Sequence, residues 1–155
     1  KETKMATITD AVIKTDAIFN FATQWYYKNP TVSGIPTISD ADFIAFKTFL
    51  KQEKISLDTE TNKALKNVLE TAKKEKIDTQ ITNEYKQLEL AIEKNQEMEL
   101  DKNKNQIKKL IQEDLITRYQ YREGLYQFYT KENLEIEKAI ALLNNQTQYK
   151  SILKK

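Results

Sequence analysis

The chain has 155 residues, with 25 basic and 23 acidic side chains, no cysteine, no histidine and only two glycines, Gly34 and Gly124. It is long enough to bury a core without disulfides, and it has no thiol to form one. Thiol and imidazole catalysis, haem ligation and most transition-metal sites are excluded, as are glycine-rich phosphate cradles.

Of the 25 bases, 23 are lysines, with arginine only at 118 and 122. Readers of bases and phosphates favour the planar arginine fork, and a near-neutral chain lacks the electrostatic footprint of a nucleic-acid binder. The lysine clusters at 73–76 and 102–109 are interleaved with acids and amides and read as solvated faces. No apolar run approaches the roughly 20 residues needed to span a bilayer. Residues 5–13 carry threonines and Asp10, so they are not the apolar region of a signal peptide. The start at Lys1 suggests a processed product or a piece of a longer protein. Residues 1–155 are read as one helical domain.

Scarce Gly and Pro with abundant Lys, Glu, Gln, Leu and Ile favour helix nearly everywhere. Ile18, Phe21, Ala22 and Trp25 recur at helical spacing, with Asp16 as the expected N-cap and an end near Lys28, just before Asn29-Pro30. Ser39 opens the next helix: Asp42 stands three residues on as a shortened capping box, and Ile38 is placed to staple onto Phe43. Phe43, Phe46, Phe49 and Leu50 form its apolar stripe, expected to anchor the core. A third helix is expected from about Asp58, burying Leu65, Val68, Leu69 and Ala72.

From Asp78 one stripe runs through Ile81, Tyr85, Leu88 and Ile92, and another through Leu100, Ile107, Leu110, Ile111 and Leu115. The phase slips across residues 93–105, which implies a break between two helices or a bend in one long one. The second stripe reads on through Arg118, Tyr119, Tyr121, Leu125 and Phe128. Asn133 caps a further helix expected to bury Ile136, Ala139, Ile140 and Leu143 and to end at Asn144-Asn145. A last turn from Thr147 carries Tyr149, Ile152 and Leu153. The fold class is all-α, a bundle of about five to seven helices, one of them long and bent or broken.

Candidate chemistry is sparse. Asp101, Asn103 and Asn105 start like a calcium loop, but Gln106 replaces the glycine and Gln112 the bidentate glutamate, so no metal is expected. The carboxylate pairs Asp40/Asp42, Glu97/Glu99 and Glu113/Asp114 fall at helix ends or polar faces rather than in one cleft. The serines at 33, 39, 56 and 151 have no activating base or oxyanion turn. Asn145-Gln-Thr147 matches a glycosylation sequon, a pattern short enough to arise by chance. No catalytic residue and no cofactor are assigned.

The aromatic density stands out. Trp25, Tyr26 and Tyr27 cover more than one face of a helix, so at least one ring must meet another element or a partner. Arg118, Tyr121 and Arg122 form a second group, the two arginines spaced to bridge acids on a neighbouring helix. These six residues are the candidate interaction surface. Gly124, inside a helical pattern, costs about 1 kcal/mol relative to alanine and so points to close packing.

Residues 18–23 (IFNFAT), 39–50 (SDADFIAFKTFL), 118–124 (RYQYREG), and 139–143 (AIALL) with 149–153 (YKSIL) resemble, in order and spacing, one known region. It is the C-terminal helical region of C-terminal processing peptidases, the tail-specific serine proteases, in the form found in Bacteroidetes-type bacteria. The resemblance implies a non-catalytic appendage of a periplasmic or envelope protease whose PDZ module captures substrate tails and whose serine–lysine dyad cleaves. Nothing here matches the segments carrying the dyad or the PDZ carboxylate-binding loop. The implied partners are proteins: the protease's own core, a substrate, an adaptor or a second copy. A free-standing helical interaction module is the competing reading.

Overall fold

The computed structural model describes residues 6–153, apart from the side chains at 132, 134, 146, 148 and 153. The expectations resting on Met5 and on the Leu153 side chain lie outside the described residues. Eight helices and no strand are present among those residues: α1 (Thr7–Ile13), α2 (Ala17–Lys28), α3 (Asp40–Gln52), α4 (Glu60–Glu75), α5 (Thr82–Lys102), α6 (Lys104–Glu132), α7 (Leu134–Asn144) and α8 (Gln146–Leu153). The all-α expectation holds, with one helix more than the range of five to seven. The addition is α1, whose threonines and β-branched residues are weak local helix formers. Burial holds it in place: Ile8, Ala11 and Val12 enter the core, and fully buried Thr9 donates to Gln106 Oε1 at 3.0 Å.

The core is built from α1, α2, α3 and the first half of α6. Phe46 of α3 is completely buried, and Phe21 of α2 stands edge-on to it at 5.2 Å between ring centres and lies 5.7 Å from the ring centre of Phe49. Ile107, Ile111 and Leu115 of α6 close the other side. The start of α3 forms as its residues dictate. The Ser39 hydroxyl accepts from Asp42 N at 3.1 Å, and the Asp42 carboxylate accepts from Ser39 N at 2.9 Å. Ile38 and Phe43 are both buried beside it.

Asp16 does occupy the N-cap position of α2, but its backbone is not extended and its carboxylate bonds no helix N–H. Thr15 Oγ1 accepts from Ala17 N at 3.2 Å instead. The third helix starts two residues later than expected, because Thr59 rather than Asp58 caps it, accepting from Asn62 N. Its Leu65 and Ala72 are buried, whereas Val68 is exposed and Leu69 only half-buried. A helix packed chiefly on α5 covers a narrow stripe, and Val68 falls outside it.

The loop between α2 and α3 is tied down from α6. Gln112 Nε2 donates to Pro36 O at 2.8 Å, Gln120 Nε2 to Gly34 O at 2.7 Å, and the Tyr119 hydroxyl to Asn29 O. Gly34 turns the chain there with φ +76°.

Two interruptions shape the second half. The phase slip over 93–105 resolves into one non-helical residue, Asn103, whose Nδ2 donates back to Glu99 O. The larger change was not expected. The stripe read straight through Arg118 to Phe128 is broken at Tyr121, with φ 54° and ψ −152°. The chain reverses there, so that residues 122–132 fold back along residues 104–120. Lys109 Nζ lies 5.4 Å from the Phe128 ring centre and 5.6 Å from that of Tyr129. Gly124 lies against Ile116 and Gln120, and Ile116 and Phe128 are buried by the fold-back. The expectation that Gly124 permits close packing is met, between two arms of one helix.

Candidate interaction surface

The six candidate residues divide by position. Trp25 is half-buried at the α2–α3 junction, where its indole N–H donates to Asp42 Oδ1 at 2.9 Å. Its ring meets Tyr119 edge-on at 6.4 Å, and Tyr26 packs on the same Tyr119 ring at 4.8 Å. Arg118 is drawn inward: its Nε pairs with Asp114, one Nη donates to Phe19 O at 3.1 Å, and its guanidinium lies 4.6 Å from the Phe19 ring centre. Tyr27, Tyr121 and Arg122 face solvent. The two arginines do not bridge acids on a neighbouring helix as expected. Arg118 takes an acid of its own turn, and Arg122 lies beyond the reversal at Tyr121.

Of the paired carboxylates, Asp40, Asp42, Glu97, Glu99 and Asp114 are engaged in a cap or in ion pairs. Asp40 meets Lys104 and Lys108 at 3.1 and 2.9 Å, and hydrogen bonds from these lysines hold its carboxyl below the usual carboxylate range. Lys51 pairs with Glu97, and Asp101 receives Lys47 at 2.6 Å. No group of three or more potential metal ligands occurs among the described residues. A cleft of about 570 Å³ on the α3–α5 flank is bordered by Lys51, Lys54, Leu57, Asn62, Gln96 and Glu97, and one of about 620 Å³ between α1 and α5 is bordered by Ile8, Thr59, Ile92 and Gln96.

Asp42 couples the cap to the aromatic cluster. Burial pushes its carboxyl up, but hydrogen bonds from the Ser39 hydroxyl, the Trp25 indole and the Ser39 amide outweigh that and leave it below its ordinary value. A depressed folded value stabilises the protein above the unfolded value of about 3.9, and this contribution is lost as pH falls through the lower folded value. Acid titration of Trp25 fluorescence should therefore show a transition below about pH 4 that Asp42→Asn flattens. An unchanged transition in the variant would assign it to other carboxylates.

The sequence pattern did not disclose a second surface. Ile136, Ile140 and Leu143 recur at helical spacing on α7, as expected, but they are not all buried: Ile140 is 50% exposed and Leu143 55%. Ala139 is exposed as well, and so are Ile152 of α8 and Tyr126 on the returning arm of α6. The main neighbours of α7 are α6 and α8, so its apolar face lies away from the core.

An all-α domain results, with exposed apolar side chains on α3, α4 and α5 (Ile44, Val68, Leu88 and Leu90) as well as on α7 and α8. Residues 8–143 match the family described as the C-terminal helical domain of probable PDZ-proteases, and the chain belongs to it. The region named from the four sequence segments is thus the one that the family match identifies. No curated protein and no solved structure matches the chain. No described helix is long and apolar enough to cross a membrane.

Proposed function

We propose that this domain is the non-catalytic helical appendage of a carboxyl-terminal processing serine protease of the periplasm or cell envelope, and that it docks onto protein through α7 and α8. The observation that carries this reading is the unburied apolar face of α7, with Ile140 and Leu143 each about half exposed. Burying such a side chain contributes roughly 1.5–3 kcal/mol, so a helix with this stripe gains from a covering surface. The protease's own body is the covering surface we favour, because the domain is joined to it and meets it at high effective concentration.

The test is made in the whole protease. Ile140→Asp with Leu143→Asp should lower kcat/KM on a protein substrate severalfold and make the helical domain more accessible to limited proteolysis, with helicity of the isolated chain unchanged. Wild-type turnover and wild-type protection would reject docking through this face. Hydrolysis of protein by the isolated 155-residue chain would reject the non-catalytic assignment.

A further inference from the structure

We infer that Tyr121 is a hinge at which α6 straightens, letting two copies of this chain exchange the arm formed by residues 122–132 with α7 and α8. The inference starts from a conflict between sequence and backbone. Tyr121 has φ 54° and ψ −152°, a conformation that L-residues avoid and glycine tolerates. Its side chain is 73% exposed, so no burial of the ring compensates. The flanking residues, 104–120 and 122–132, are rich in Lys, Gln, Glu, Leu and Arg, which favour uninterrupted helix. Straightening relieves the strained residue and satisfies that local preference.

Opening alone has a cost that a second copy removes. Ile116 is fully buried and Phe128 nearly so, and both depend on the fold-back for cover. In an open monomer they meet water. If two chains open together, the arm of each seats on residues 104–120 of the other, and the same contacts re-form: Gly124 on Ile116 and Gln120, and Lys109 over Phe128 and Tyr129. The interface is self-complementary by construction, because it is the intramolecular one. A short, strained connection between two elements that pack on each other is the usual setting for such exchange. The exchange does not require α7 to meet the protease body, so it stands or falls apart from the proposed function.

The test uses the whole 155-residue chain by light scattering across a concentration series. The wild type should show a monomer–dimer equilibrium. Tyr121→Gly relaxes the closed form and weakens the straight helix, so its dimer fraction should fall severalfold. Tyr121→Ala keeps the strain and favours the helix, so its dimer fraction should rise. Because the chain has no cysteine, Lys109→Cys with Tyr129→Cys gives a clean crosslinking pair. A short bis-maleimide should join chains in the dimer and close within one chain in the monomer. A wild type, Tyr121→Gly and Tyr121→Ala that all remain monomeric at every concentration would overturn the inference. So would a dimer that ignores both Tyr121 substitutions, or one whose crosslinks stay within single chains.

Discussion

Phe46→Ala should destabilise the domain by about 3–5 kcal/mol, the range for removing a buried phenylalanine. Phe46 has no exposed surface, and the Phe21 ring of α2 stands edge-on to it and packs in turn on Phe49, so truncation leaves a cavity walled by the Phe21 ring. That cavity is poorly placed to collapse: α3 is fixed at its start by the Ser39–Asp42 box, and Ile107, Ile111 and Leu115 line the opposite side. Since a domain of this size has only about 5–15 kcal/mol in hand, the variant should unfold at markedly lower denaturant with the slope preserved. Phe19→Ala is the control. Phe19 is exposed and touches the Arg118 guanidinium, so its loss should cost well under half as much. Equal losses for the two would mean that the core is centred elsewhere.

The parts of the fold that could be read in advance are those fixed within one turn of helix. The capping box needs only Ser39 and Asp42, and the Phe43–Phe46–Phe49 stripe needs only period and residue type. Asn133 likewise caps α7, accepting from the amides of Glu135 and Ile136. What could not be read depends on distant residues. The fold-back at Tyr121 is marked by neither glycine nor proline at the corner itself; it follows from the packing of the returning arm on the first. Gly124 was the one local signal of that packing, and its partner could not be named from sequence. The candidate surface shows the same limit. Aromatic clustering located Trp25 and Tyr26, but the hydrogen bond to Asp42 and the contact with Tyr119 arise from three helices meeting. The stripe of α7 was legible as apolar, while its exposure depends on what else lies against it.

Gly124→Ala separates these two levels, because local and tertiary physics give it opposite signs. In an exposed helix interior the change would stabilise by about 1 kcal/mol through backbone entropy. Here an added methyl would stand 2.5 Å from Gln120 Cβ and 2.9 Å from Ile116 Cγ2. Neither neighbour yields easily. Gln120 is held by its hydrogen bond to Gly34 O, its Cβ moves only with the backbone, and Ile116 is fully buried. Overpacking of this kind costs typically about 1–3 kcal/mol, enough to outweigh the propensity gain. Thermal denaturation should therefore show a net loss, with the Phe46 core intact and the arm carrying Phe128 loosened. In an exchanged dimer the arm of one copy meets Ile116 and Gln120 of the other in the same way, so the methyl burdens both forms and the substitution should not raise the dimer fraction. A net gain in stability would mean that residues 122–132 do not rest on residues 104–120 in solution, and the reversal at Tyr121 would fall with that contact.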